Sequence, residues 1–368
     1  MPLPQALQVE TDDRFMKTAE LDYTLPETLI AQEPIEPRDE SRLLVLNRTT
    51  NQIDHRRFRE IGDFLVAGDC LVVNESRVIR ARMYGHKEPT GGQVEILLLR
   101  QLEEEHWRCL VGGARTRPGS LIRFHSDGTP VELYAEVIES GAQGQRVLRF
   151  SEPLLPLLDQ LGEMPLPPYI HRHLEDPERY QTVYARAPGS AAAPTAGLHF
   201  TPDLLLDLRA AGIKLVSVTL HVGLDTFRPI TEATVDEHVI HSEWCSLDTT
   251  TAERINHTKL MGRRVVAVGT TSVRVLETAA RHGLLKSTEE TCPWRPIAPY
   301  EGFTDLYITP GFDFRVVDSL VTNFHLPRSS LLALVMAFAG KERIRHAYQT
   351  AIAQQYRFYS FGDAMLIL

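Results

Sequence analysis

Arg264–Gly283, RVVAVGTTSVRVLETAARHG, is the stretch whose reading decides the fold. Its first part is a β-branched apolar run, which suits a strand buried on both faces. Gly269 and the hydroxyls of Thr270, Thr271 and Ser272 then lead into a helix predicted from Val273 to Arg281 and closed by Gly283. Lys214–His221 is a second β-branched run. Ser319–Phe324 is a third, followed by Leu326-Pro327-Arg328-Ser329-Ser330 and an apolar helix from Leu331 to Ala339 that stops at Gly340. Strands alternating with helices imply a parallel α/β arrangement. From Cys70 to Phe150 the pattern changes to short strands without a helix: CLVVN, RVIRARMYG, QVEILLLRQ, HWRCLVGG, SLIRFHS, VELYAEVIES and QRVLRF. Turn formers such as Pro89-Thr90-Gly91-Gly92 and Arg117-Pro118-Gly119 separate them, which is the signature of a small barrel or sandwich. Pro34–Leu65 again has mixed character. The expected organisation is a discontinuous α/β domain, residues 1–65 and 151–368, interrupted by an all-β insertion, residues 66–150.

The 368 residues carry 39 Lys plus Arg against 48 Asp plus Glu, a net charge of -9, with 43% hydrophobic and 24% charged residues. That composition excludes disordered and fibrous classes. The longest apolar run, Leu331–Gly340, is far short of the roughly 18 residues a membrane-spanning helix needs. The first residues lack the basic flank and apolar run of a secretory signal, so the expected compartment is the cytoplasm, with no membrane partner. Cys70, Cys109, Cys245 and Cys292 are too scattered for a metal clip and too few for a disulfide scaffold, and are expected to be reduced. The acidic balance counts mildly against bulk nucleic-acid binding, although a local basic face is compatible with it.

Neither the dinucleotide nor the P-loop glycine signature is present. Four other segments carry candidate chemistry. Ala187–Pro202, APGSAAAPTAGLHFTP, is a run of small residues that ends in His199 and a capped helix start at Thr201. It reads either as a ligand-approach loop or as a flexible linker. In Val265–Arg274 the hydroxyls after Gly269 read either as ligand contacts at a helix N-terminus or as simple caps. Asp236–Glu243, DEHVIHSE, offers His238, His241 and Glu243. Together with His171 and His173 these allow a metal-dependent hydrolase, but no H-E-x-x-H is present and acid–base work is the preferred reading. Finally, Arg80, Arg82 and Tyr84 fall on one side of a two-residue alternation, with Arg77, Arg115, Arg117 and Arg123 nearby. This is either a phosphate-binding face carrying an aromatic or a solvated edge strand.

Taken in order, these segments resemble the S-adenosylmethionine:tRNA ribosyltransferase-isomerase family of queuosine biosynthesis. The resemblance runs from about Leu21 to the C-terminus, through GDCLVVNESRVIRARMYG, YQTVYARAPGSAAAPTAGLHFT, VTLHVGLDTFRPI, EHVIHSEW, VGTTSVRVLE, VTNFHLPRSSLLALVMAFAG and YRFYSFGDAML. Asn74-Glu75-Ser76 stands where the family usually has Asn-Asp-Thr, Asp225 where a glycine is usual, and Ile240 where Met is usual. Residues 1–15 lie outside the resemblance and are expected to be a disordered extension, with Met16 an alternative start.

The resemblance implies an unusual α/β barrel-like main domain with an inserted small β-barrel. It implies transfer of the ribosyl part of S-adenosylmethionine to 7-aminomethyl-7-deazaguanine at the tRNA wobble position, with isomerisation to epoxyqueuosine-tRNA and release of adenine and methionine. S-adenosylmethionine is then a consumed cosubstrate, and neither cofactor nor metal is expected. Catalysis is expected from His199, His241 and Glu243. S-adenosylmethionine is expected on Thr195, Ala196, Gly197, Gly269, Thr270, Thr271 and Arg274, with Arg274 facing the methionine carboxylate. The tRNA is expected on Arg80, Arg82, Tyr84 and Arg328.

Overall fold

The computed structural model describes residues 16–126, 129–141, 144–223, 229–286 and 296–368. The expected extension of residues 1–15 and the turn at Asp225 lie outside the described residues. In chain order the strands are β1 (Arg42–Leu46), β2 (Ile53–Arg57), β3 (Cys70–Asn74), β4 (Ser76–Val78), β5 (Arg82–Glu88), β6 (Gly92–Gln101), β7 (His106–Gly113), β8 (Leu121–Ser126), β9 (Thr129–Ser140) and β10 (Gln145–Phe150). They continue with β11 (Gly162–Glu163), β12 (Ala187–Ser190), β13 (Lys214–Leu220), β14 (Glu243–Leu247), β15 (Val265–Val268), β16 (Tyr300–Thr304), β17 (Ser319–Asn323) and β18 (Ala364–Ile367). The α-helices are α1 (Leu158–Leu161), α2 (Pro202–Ala210), α3 (Thr249–Leu260), α4 (Thr270–Lys286), α5 (Ser330–Ala339) and α6 (Lys341–Ala353).

A large mixed sheet runs in the order β16-β14-β13-β3-β15-β17-β18-β1-β2. Its centre is parallel: β3 pairs with β13 on one side and β15 on the other, and β15 pairs with β17. Alternate residues of these strands feed two cores. Cys70, Val72, Val265, Ala267 and Leu320 pack into one that includes Leu276 of α4 and Leu332 of α5. Leu71, Val73, Val266, Val268 and Val321 pack into the other, with Leu204 and Leu208 of α2. Two-sided burial explains why these strands read as unbroken apolar runs. Among the described residues no ladder joins β16 to β2, so this sheet is hydrogen-bonded as an open one.

The closed element is a six-stranded antiparallel barrel, β5-β6-β7-β10-β9-β8, whose ends meet through the β5–β8 ladder, with β11 added beside β5. Its interior is a separate core that includes Met83, Ile96, Trp107, Phe124 and Phe150.

Two local expectations are corrected. Cys70–Asn74, read with the all-β segment, is instead an interior strand of the large sheet, between β13 and β15. A short run buried on both faces has no alternation to distinguish the two settings. Gly283 does not stop α4, which continues to Lys286. A Cβ at Gly283 would lie 3.2 Å from the Ala298 Cβ, so close packing accounts for the glycine. Gly269, by contrast, has φ +88°, and this conformation lets β15 turn at once into α4. The cap at Thr201 forms as read, accepting from the Leu204 amide at 3.2 Å, and Ser329 caps α5 in the same way, accepting from the Leu332 amide at 3.2 Å.

Candidate active site

The parallel strands β13, β3, β15 and β17 end on one side of the sheet, where open α/β folds bind ligands. The 3-10 turn Thr195–His199 packs against this side. A Cβ built on Gly269 would lie 3.7 Å from the Ala196 Cβ, so the two segments expected to hold S-adenosylmethionine do meet. Several buried polar atoms around them have no hydrogen-bond partner among the described residues: Thr271 Oγ1, Thr182 Oγ1 and Tyr184 Oη. The Tyr184 hydroxyl lies so close over Gly197 that any side chain there would collide with it. Unpartnered buried hydroxyls are what a polar ligand would satisfy. Thr182 and Tyr184 were not foreseen from sequence.

Glu243, at the start of β14, is buried. One carboxylate oxygen accepts from the Gly223 amide at 2.7 Å and the other pairs with the Arg274 guanidinium. Arg274, also buried, donates further to the carbonyls of Leu306 and Thr304, each at 3.3 Å. Thr270 and Arg274 are four residues apart on α4 and so share a helix face. Without a ligand Arg274 pairs with a carboxylate of the protein's own, that of Glu243, and it lines a cleft. His241 is exposed, and together with Glu243, Arg274, His238 and Tyr307 it lines a cleft of about 180 Å³. His238 Nδ1 lies 3.1 Å from Glu232 Oε2. Ser330 and Leu331, which follow the β17 strand end, reach the same cleft.

His199 lies elsewhere. It is buried, with Nδ1 2.8 Å from Ser41 Oγ and Nε2 3.3 Å from Asn323 Oδ1. Asn323 gives its amide N–H to the Tyr359 carbonyl at 2.9 Å, so its oxygen faces the ring and Nε2 carries the proton. Burial lowers the His199 pKa to about 4, keeping the ring neutral near pH 7. His221, just beyond β13, was also missed. Its ring stacks on Trp244 with centroids 5.2 Å apart, its buried Nδ1 has no partner among the described residues, and burial lowers its pKa. The available signal was its place at a strand end.

The arginines expected to meet tRNA all have acidic neighbours. Arg80 lies 3.7 Å from Asp159 and Arg82 3.4 Å from Glu95, while Arg328 Nε donates to Asp22 at 2.8 Å. Tyr84 is exposed, and Ala81 and Met83 are buried, as the alternation requires. Arg80 itself precedes β5. Among the described residues no three His, Cys, Asp or Glu side chains are grouped as a metal site.

The family model described as "Queuosine biosynthesis protein" matches residues 18–367. The chain belongs to that family. Among its queuosine-family relatives, a protein of Desulforamulus reducens is 49% identical over 356 residues, 96% of this chain and 100% of its own length. One of Desulfitobacterium hafniense is 50% identical over 357 residues, with the same coverage of both chains. Both are named S-adenosylmethionine:tRNA ribosyltransferase-isomerase. The crystal structure of S-adenosylmethionine tRNA ribosyltransferase from Thermotoga maritima is 40% identical, with a TM-score of 0.53, covering 95% of this chain and 100% of that one.

Proposed function

We propose that this protein moves the ribosyl part of S-adenosylmethionine onto tRNA and isomerises it. The acceptor is the aminomethyl group of 7-aminomethyl-7-deazaguanine at the wobble position, and the product is epoxyqueuosine-tRNA. The observation that carries the reading is near-full-length similarity, at about half identity, to proteins named for ribosyl transfer and isomerisation. The sulfonium of S-adenosylmethionine acidifies the C5′ hydrogens. A base that takes one of them starts an elimination that expels adenine; the acceptor amine then attacks and methionine departs. No net oxidation occurs, so no oxidant or reductant enters, and no metal or cofactor is proposed beyond the consumed cosubstrate.

His241, exposed on the cleft, is the imidazole proposed to take the proton. Glu243 and Arg274 hold the strand edge beside it, and Arg274 exchanges part of its pairing for the methionine carboxylate when the cosubstrate binds. The turn Thr195–Gly197 and the helix start Gly269–Thr271 cradle the nucleoside, with the Thr271 and Tyr184 hydroxyls supplying hydrogen bonds. His199 acts as a positioning residue through Ser41 and Asn323. The proposed compartment is the cytoplasm; among the described residues no helix is long and apolar enough to cross a membrane.

The test is mass spectrometry of tRNA bearing the deazaguanine after incubation with S-adenosylmethionine. A heavier wobble nucleoside, formed with equimolar adenine and methionine in excess chelator, is the expected result. Unmodified tRNA without adenine release overturns the reading, and activity that returns only on adding zinc overturns its metal-free form.

A further inference from the structure

The cleft that holds His241 has a second wall, formed by the barrel. Leu99, Arg100, Arg108 and Gln145 line it opposite His241, Glu243 and Arg274. In a regular strand Leu99 and Arg100 would point to opposite sides. The β6–β7 register, however, slips between Leu98, opposite Cys109, and Arg100, opposite Arg108. This bulge brings both consecutive side chains to the cleft.

Its consequence is that two arginines sit directly across a strand pair, a destabilising like-charge arrangement unless an anion joins it. Both are exposed, and among the described residues neither has an ion-pair partner, unlike Arg80, Arg82 and Arg328. Burial and the neighbouring Arg108 charge lower the Arg100 pKa. The Arg100 guanidinium lies 4.0 Å above the ring of Phe303, which is 43% exposed on β16 of the large sheet. A cation pair beside an open aromatic face, at the mouth of a catalytic cleft, matches what single-stranded RNA presents: phosphates and unstacked bases.

Building on the proposed function, we infer that Arg100 and Arg108, with the Phe303 ring, seat the sugar–phosphate backbone of the tRNA anticodon loop across the mouth of this cleft. The bulge at Leu99 is the device that aims them. They face the reacting groups, whereas Arg80 and Arg82 answer to carboxylates of their own.

The test uses the full-length Arg100→Gln/Arg108→Gln double variant, with Arg80→Gln/Arg82→Gln beside it. Binding of the same tRNA is measured across a salt series, and S-adenosylmethionine affinity is measured without tRNA. The first variant should bind tRNA about tenfold more weakly or worse, with the salt slope flattened by roughly 1.4 for two lost single-strand phosphate contacts, and with S-adenosylmethionine affinity unchanged. The second should shift tRNA binding less. Unchanged tRNA affinity and slope in the first variant overturns the inference. A matching loss of S-adenosylmethionine affinity also overturns it, by assigning the arginines to the small carboxylate. Failure of the wild type to release adenine would sink the enzymatic reading while leaving the RNA-binding result to stand or fall by itself.

Discussion

His199 and His241 both belong to polar segments beside strands of one sheet, and their surroundings are opposites. The His199 ring is closed in by Phe58, Ser41 and Asn323, with both nitrogens occupied. His241 stands exposed on a cleft whose floor is a buried ion pair. The closed imidazole holds backbone segments together. The open one lines a cleft that solvent reaches. The two imidazoles are the same residue type and differ in access.

The hardest test of this comparison is to remove the floor of the cleft. Glu243→Ala leaves Arg274 charged and buried without its partner. Such losses cost about 3–5 kcal/mol. Chemical denaturation should show a loss of that size, together with abolished adenine release. Glu243→Gln, which keeps the Gly223 hydrogen bond, should recover part of the stability but not the turnover.

Next in size is His241→Ala. Its stability should stay within about 0.5 kcal/mol of wild type, as for an exposed site. Adenine release per folded molecule should fall by roughly 10²–10⁴, the range for a lost general base. Turnover at the wild-type rate would break the comparison at its open end.

The closed end is tested by acid. His199 binds its proton more tightly in the unfolded chain, near pH 6.5, than in the folded one, near 4. Stability must therefore rise with pH across that window and be lost as pH falls through it, at up to about 1.4 kcal/mol per unit. Buried His325, lowered to about 3, adds a second loss of the same sign. Asp363, Arg357 and Arg38 also act on the His199 charge, and Asp363 offsets part of the loss. Denaturation at pH 7 and pH 5 should show His199→Gln less acid-sensitive than wild type. An unchanged difference would remove the electrostatic account of this site.

The smallest effect belongs to the outer barrel pairs. Arg80→Gln/Arg82→Gln should change stability by less than about 1 kcal/mol, because exposed ion pairs contribute little. A larger loss would show that these arginines brace the barrel against α1 and β6.

Much of this was legible in the residues. The strand-to-helix passage at Gly269 and the cap at Thr201 follow from local chemistry, and local chemistry is what a sequence displays. The meeting of Ala196 with Gly269 and of Glu243 with Arg274 depends on tertiary packing, so the sequence could nominate these residues but not pair them. Nothing local to either segment reveals that Glu243 reaches Arg274. Arg100 and Arg108 escaped notice for a different reason. Strict two-residue alternation puts Leu99 and Arg100 on opposite faces, and only a register slip brings them together. Cys70–Asn74 was misplaced because a strand buried on both faces carries no mark of which sheet it joins.

That strand has a consequence for synthesis on the ribosome. β3 is an interior strand of the large sheet, yet its first neighbour to be made, β13, begins only at Lys214, and its other neighbour, β15, at Val265. The six barrel strands are all made in the interval, between Arg82 and Phe150, and pair only with one another and with the two-residue β11. A newly emerged chain thus completes a sequence-local barrel while the apolar run Cys70–Asn74 still waits for partners. Such a run is the kind of exposed strand edge that nascent chains need to keep from wrong partners. Its two faces find their cover only when the residues of both large-sheet cores, from β13 onward, have been made.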